Sequence, residues 1–426
     1  MKLTSNTFGA GASLICCLAL HGQTLDTLYS FDHNELGYQP RSGVVIGSGG
    51  ELYGTATFGG AYGEGLLFEL VPPSSPGLPW SEVVLHSFDA STGEGGCTSL
   101  LTLGPSGVLY GVTGYSSLGA GGTVFQLTPP QGSSTHWREV TLEAFSSSNS
   151  GGVGPAATPI LGPHSAVYGT TGAGGTYGDG TVYRLLPPTG QAGAWAEETL
   201  YTFNYHVGDS GSSKGTLAMD NKGALYGSTT GTVFQLAPPA APGGTWVEKI
   251  LHTFGGSAAD PSLLNGVMLG PNGVLYGTAA GSTLGLCTGC GSVFQLAPPT
   301  TPGGPWTETV LHLFTGGNYT EDGSLPDSTP VLGPNGVLYG TTYGGGIYDW
   351  GTIYELLPPS SPGGAWTEVI LYSFTDGPDG GEPMGVALGP DGNLYGTTQA
   401  GGVSPHGILN QGTVFELVLP QNANNR

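Results

Sequence analysis

Short apolar runs recur along this chain, alternating inward and outward positions, and clusters of Gly, Pro, Asn and Ser separate them. No stretch carries the i, i+3, i+4 spacing of an amphipathic helix, so the pattern predicts strands throughout. The runs come in a fixed order of four. The first is a brief apolar segment such as Val331-Leu332 or Val386-Ala387-Leu388, ended by a tight turn such as Gly270-Pro271-Asn272-Gly273 or Gly389-Pro390-Asp391-Gly392. That turn chemistry predicts a type I turn followed by a left-handed residue. The second run is built on Leu-Tyr-Gly, as at Leu52-Tyr53-Gly54 and Leu394-Tyr395-Gly396, with Val167-Tyr168-Gly169 as a variant. The third reads Gly-Thr-Val-Phe, as at Gly122 to Leu127 and Gly412 to Leu417, and stops at a Pro-Pro pair that cannot donate to a ladder. The fourth opens near a Trp and runs to a Phe, as from Leu311 to Phe314.

From Tyr53 to Tyr395 the Leu-Tyr-Gly motif spans 342 residues in six intervals, a period of about 57. Phe31, Phe88, Phe145, Phe203, Phe254, Phe314 and Phe374 count seven fourth strands for seven sets of the other three. The chain carries an unaccompanied fourth-strand motif, Leu28 to Phe31, ahead of the first set and ends its last set on a third-strand motif. Pairing those two closes a ring and removes a sheet edge. The expected fold is therefore all-β: a seven-bladed β-propeller of four-stranded blades over residues 24–420, closed by the N-terminal strand. A β-solenoid is the competing architecture, but it needs caps that the sequence does not display.

The segment Gly389-Pro390-Asp391-Gly392-Asn393-Leu394-Tyr395-Gly396-Thr397-Thr398, with Gly412-Thr413-Val414-Phe415-Glu416-Leu417, resembles the GloVer tandem repeat of secreted bacterial proteins, and seven copies recur in order. The strand pattern also resembles, more loosely, NHL-type propellers. The GloVer resemblance implies a secreted protein. It also implies a C-terminal surface anchor; none is recognisable after Leu417, where 421–426 reads as a polar tail, so release into the medium or periplasm is expected instead.

Composition sharpens this picture. Gly (80) and Pro (33) would suggest disorder without a period, but a period is present and 38% of residues are hydrophobic. Only 9% are charged, with 8 Lys+Arg against 30 Asp+Glu and a net charge of -22, which disfavours nucleic acid and anionic membranes as partners. Lys2 followed by an apolar stretch from Phe8 to Leu20 reads as a signal peptide over 1–22.

Candidate chemistry is thin. Chain direction places the loops after the fourth strand and those between the second and third on one face, where copies vary most and where binding is expected. They carry Asp32, His33, Glu35, His206, Asp209, Asp260, Glu321, Asp322, Asp349, Trp350, Asp376, Asp379 and Glu382. Asp322-Gly323 and Asp379-Gly380 could offer oxygens to a structural Ca²⁺, although solvated turn residues explain them as well; no other cofactor is implied. Cys287 and Cys290 read as a local disulfide, with Cys97 left over. Gly208-Asp209-Ser210-Gly211 has the letters of a serine-protease nucleophile segment without its companions. His86, His252 and His312 occupy the fourth-strand slot that Tyr29, Tyr201 and Tyr372 fill elsewhere, which marks a structural position. The repeated aromatics are the core expected between twisted sheets.

The functional expectation is a monomeric, non-catalytic extracellular propeller that binds a glycan or surface protein through its variable-loop face. The alternatives are a propeller enzyme (lyase, lactonase or glycosidase) at the channel mouth and a purely structural extracellular component. The innermost strands argue against a metal-dependent enzyme because they are apolar or small, as in Val44-Val45-Ile46 and Pro159-Ile160-Leu161.

Overall fold

The computed structural model describes residues 23–420 except 33–35, 76, 93–95, 97–99, 115–120, 133, 135, 147–150, 156, 191–192, 210, 212, 214, 242, 256–261, 282–290, 317–321, 362 and 404–409. Seven antiparallel sheets of four blade strands follow one another along the chain; the third sheet gains a further strand, Gly152–Pro155, a two-stranded ribbon joins Gly323–Ser324 to Gly344–Gly345, and short 3-10 turns lie between. The first blade comprises Val45–Ile46, Leu52–Ala56, Leu66–Val71 and Ser81–Ser87. The seventh takes Gly381–Leu388, Leu394–Ala400 and Thr413–Val418 from the C-terminal end and Thr24–Ser30 from the N-terminal end. Thr24–Ser30 pairs antiparallel with Thr413–Val418, Leu25 opposite Leu417 and Ser30 opposite Thr413, so the ring closes as the strand count requires. The protein is a seven-bladed β-propeller. Among the described residues no helix is long and apolar enough to cross a membrane.

The aromatic repeat is what welds one blade to the next. Each Phe after a fourth strand packs on the third-strand aromatic of the following blade: Phe31 on Phe68, Phe88 on Phe125, Phe145 on Tyr183, Phe203 on Phe234, Phe254 on Phe294, Phe314 on Tyr354 and Phe374 on Phe415. Ring centroids lie between 4.7 Å (Phe254–Phe294) and 5.6 Å (Phe88–Phe125), within the range of favourable edge and tilted contacts. The third-strand aromatic in turn lies over the glycine of Leu-Tyr-Gly. A Cβ on Gly54 would stand 2.4 Å from Phe68 Cζ, and one on Gly277 2.5 Å from Phe294 Cζ. No other residue fits there, which is why Gly follows Tyr in every copy. The Trp that opens a fourth strand covers the Tyr of the preceding blade, as Trp137 does Tyr53 at 5.9 Å.

Two local expectations need correction. The first-to-second-strand turn takes the expected form at Gly389 to Gly392, where Gly392 N–H donates to the Gly389 carbonyl and Gly392 has φ +88. In four blades it is instead a type I′ turn, with both central residues at positive φ: Ser106-Gly107, His164-Ser165, Asn272-Gly273 and Asn335-Gly336. The mirror-image turn matches the right-handed twist of the strands it joins. Nor does strict alternation hold along the fourth strands. Val293 pairs with His312 but Phe294 with Val310, leaving an extra residue on the outer strand. The bulge lets both Leu311 and Phe314 turn inward while Leu313 stays exposed, and it recurs in every blade.

Candidate binding site at the channel mouth

The seven inner strands enclose a cavity of about 780 Å³ along the propeller axis. Val45, Ile46, Leu103, Leu269, Val331 and Leu388 line its deeper part, as the apolar first-strand runs require. The residues just ahead of those runs are polar and form the mouth: Arg41, Thr158, Thr216, Asn265 and Asp327. Several polar groups here are structural ties between blades. Asn265 Nδ2 donates to Pro326 O at 2.5 Å, Thr278 Oγ1 to Ser328 O at 2.9 Å, and Thr397 Oγ1 to Ser42 O at 2.7 Å. Arg41 and Asp327 stay open to the channel.

At the side of the mouth where the sixth, seventh and first blades meet, four charged or phenolic groups interact. The Tyr343 hydroxyl donates to Glu382, with Arg41 and Asp327 close enough to act on it. Burial, that hydrogen bond and the Glu382 charge together push Tyr343 up to about 12. Asp327 is open to channel water yet ringed by protein, and that partial desolvation raises its pKa. Asp376, close to Glu382 and Asp379, is also raised, by burial first and then by the two neighbouring carboxylates. Backbone strain gathers in the same place: Leu325, Asp349, Asp376 and Glu382 all have φ between +55 and +66 without being glycine.

The loops between second and third strands stand on the same face but lean toward the outer strands: Ala61 N–H donates to Ser87 Oγ at 3.2 Å, and Tyr177 and Tyr348 lie near Tyr201 and Tyr372. Tyr62, Tyr177 and Tyr348 occupy the same position in the loops of the first, third and sixth blades, each after a Gly-Gly pair and one further residue, and are 61%, 58% and 51% exposed. Threonine pairs at the bases of such loops hold them. Thr171 Oγ1 lies 3.0 Å from Thr181 Oγ1 and accepts Thr181 N–H, and Thr342 and Thr352 repeat the arrangement.

The family described as the Gloeobacter/Verrucomicrobia repeat matches residues 3–150 and 263–424, well over half of the chain. The chain belongs to that repeat family. Curated proteins give no match. Among solved structures, a glucose dehydrogenase-type oxidoreductase from Thermus thermophilus aligns at 15% identity and TM-score 0.37, over 93% of this chain and 100% of that one. A luciferin-regenerating enzyme aligns at 13% and 0.43, over 94% and 96%. The extracellular domain of a hybrid two-component system from B. thetaiotaomicron aligns at 11% and 0.48, over 92% of this chain and 41% of that one.

In this member of the repeat family, the variable-loop residues expected to bind fall into three groups. Trp350, Asp376 and Glu382 meet beside the mouth: Glu382 N–H donates to Trp350 O at 2.9 Å, and Trp350 packs along Gly381. Asp209, Asp322 and Asp379 instead tie down the loops that carry them. Asp209 Oδ2 accepts from Tyr201 Oη and Asn204 N, each at 2.9 Å, and Asp379 Oδ2 from Tyr372 Oη at 3.1 Å and Thr375 N at 2.9 Å. Asp322 Oδ2 accepts from Thr315 N at 2.7 Å. Asp32 is buried, while His206 and Asp349 are exposed, Asp349 capping Gly345 N–H at 3.3 Å. His33, Glu35, Asp260, Glu321, Cys97, Cys287, Cys290, the 1–22 leader and the 421–426 tail lie outside the described residues. Sequence reasoning missed Arg41, Asp327, Tyr343 and the three loop tyrosines. The Gly-Gly-x-Tyr recurrence was a legible signal for the tyrosines, whereas nothing local marked Arg41 or Asp327.

Proposed function

We propose that the protein is an extracellular, non-catalytic propeller that binds a glycan across the channel mouth of its variable-loop face. The observation that carries this reading is the convergence of Arg41, Asp327, Tyr343 and Glu382 at one side of an open cavity, with Trp350 beside Glu382 and exposed loop tyrosines farther out on the same face. Sugars present hydroxyls to fixed charged and amide groups and C–H faces to aromatic rings, and a concave site with both suits them. Glycan-array binding tests it, comparing the native protein with the Tyr62→Ala/Tyr177→Ala/Tyr348→Ala triple variant and with Arg41→Ala. A defined glycan set should bind the native protein and weaken about fivefold in Arg41→Ala and by more in the triple variant, since each lost contact is worth about 1 kcal/mol. Retained binding in both variants would remove the mouth as the site.

One observation favours a glycosidase at the same mouth: Asp327, whose pKa partial desolvation raises, shares the mouth with a second carboxylate, Glu382. Turnover of a bound glycan, abolished by Asp327→Asn, would convert the binding reading into that one.

A further inference from the structure

The outer seam between the fifth and sixth blades holds a donor set that the mouth does not use. His312 stands on the fifth blade's outer strand, Thr307–Leu313, and Glu368 on the sixth blade's, Thr367–Ser373; Asp322 lies in the loop after the first of these. His312 Nε2 is 3.4 Å from Asp322 Oδ1 and 3.5 Å from Glu368 Oε2, and the three ligand atoms all lie within 4.8 Å of one another. We propose that His312, Asp322 and Glu368 form a structural site for a divalent transition metal of the Zn²⁺ type, clamping the fifth blade to the sixth.

The chemistry fits on four counts. Zinc bonds of about 2.0–2.2 Å set the edges of a tetrahedron at about 3.3–3.6 Å, where the two histidine–carboxylate separations fall. An imidazole nitrogen with two carboxylates suits zinc and its neighbours, whereas Ca²⁺ prefers oxygen alone. The ligands are already oriented. Asp322 Oδ2 is held by Thr315 N and Oγ1 at 2.7 and 2.6 Å, which leaves Oδ1 turned toward His312, and the His312 ring is fixed edge-on to Phe314 with centroids 4.7 Å apart. Finally, Glu368 Oε1 is solvent-excluded and finds no hydrogen-bond donor among the described residues, so two carboxylates share this seam with one imidazole.

Comparison among blades shows why this seam differs. Where the outer-strand slot holds Tyr201 or Tyr372, its hydroxyl donates to the loop aspartate and the seam is closed by an ordinary hydrogen bond. At the seam after Tyr372, the position matching Glu368 is Leu25, so no second acid arrives from the next outer strand. Among the described residues, a histidine with both acids within reach is found at His312.

His312→Tyr is the decisive variant, because it installs the residue other blades carry in that slot and should fold. Chelator-treated native protein and the variant are titrated with Co²⁺ and then Zn²⁺, following visible d–d absorption, metal content and melting temperature. The native protein is expected to take up Co²⁺ with absorption that Zn²⁺ abolishes, and to melt higher with Zn²⁺. His312→Tyr should lose one bound equivalent and the zinc-dependent rise in melting temperature, and Glu368→Gln should weaken binding. No uptake by the native protein, leaving a His312 bridge between two carboxylates, would overturn the site. So would equal uptake by His312→Tyr.

Discussion

At the scale of single residues, the backbone leaves two kinds of mark. Ser165 sits at φ +57 directly after His164 at φ +59, in the one type I′ turn whose second central position is not glycine. A left-handed non-glycine residue costs roughly 1–2 kcal/mol, and glycine's extra freedom in the unfolded chain returns part of that. Ser165→Gly should therefore stabilise the protein by about 0.5 kcal/mol in denaturant titration. The glycines of Leu-Tyr-Gly behave in the opposite sense. Gly277→Ala would push a methyl to 2.5 Å from Phe294 and 2.8 Å from the Gly266 carbonyl, neither of which can move without disturbing the seam. A loss of roughly 2–3 kcal/mol is expected, read as an earlier denaturant midpoint at unchanged slope. These residues were legible as a pattern, since the glycine recurs in every copy. The reason for it, a ring whose tip points at that position, was not.

At the scale of the strand, the outer seams repeat one device: a tyrosine or histidine of one blade faces a glutamate of the next. Tyr29 faces Glu82, Tyr201 faces Glu248, and His252 lies 3.7 Å from Glu308. Burial pushes Glu82 up to about 8, against a smaller lowering by the Tyr29 hydroxyl, and burial with the Asp209 charge pushes Glu248 up to about 7. These carboxyls keep their protons in the folded state at pH values where the unfolded chain, titrating near 4.5, has lost them. Their contribution is complete below about pH 4.5 and declines as pH rises through 7 to 8. The protein should melt at a higher temperature at pH 5 than at pH 8, and Glu82→Gln should narrow that difference by on the order of 1–3 °C. An unchanged difference in the variant would show that Glu82 does not hold its proton. The fourth strands were recognisable from their Leu-to-Phe pattern, but the bulge that turns Leu311 and Phe314 inward together was not, because it depends on pairing with Ser292–Ala297.

For the molecule as a whole, closure is the stabilising decision. Thr24–Ser30 covers the edge of Thr413–Val418, Leu25 joins the core of the last blade, and Phe31 is buried against Phe68 of the first. Removing residues 23–31 uncovers a long edge strand and takes away a fully buried phenylalanine worth about 3–5 kcal/mol. The truncated protein should lose its single cooperative melt and elute from size-exclusion chromatography as oligomers. A monomer with the native melting temperature would mean that the other blade seams suffice.

The repeat by itself determined the blade count, the order of strands in each blade and the closing partner. Those follow from local alternation, turn chemistry and counting, all of which are written along the chain. What only the tertiary structure decided is which distant residues meet. Arg41, Asp327, Tyr343 and Glu382 come from three blades, and His312 and Glu368 from two, and each group is spread over tens or hundreds of positions in sequence. Their spacing carries no period, because ring curvature rather than strand geometry brings them together. The blades are near-copies with a legible common core, while the chemistry sits where the copies differ and touch.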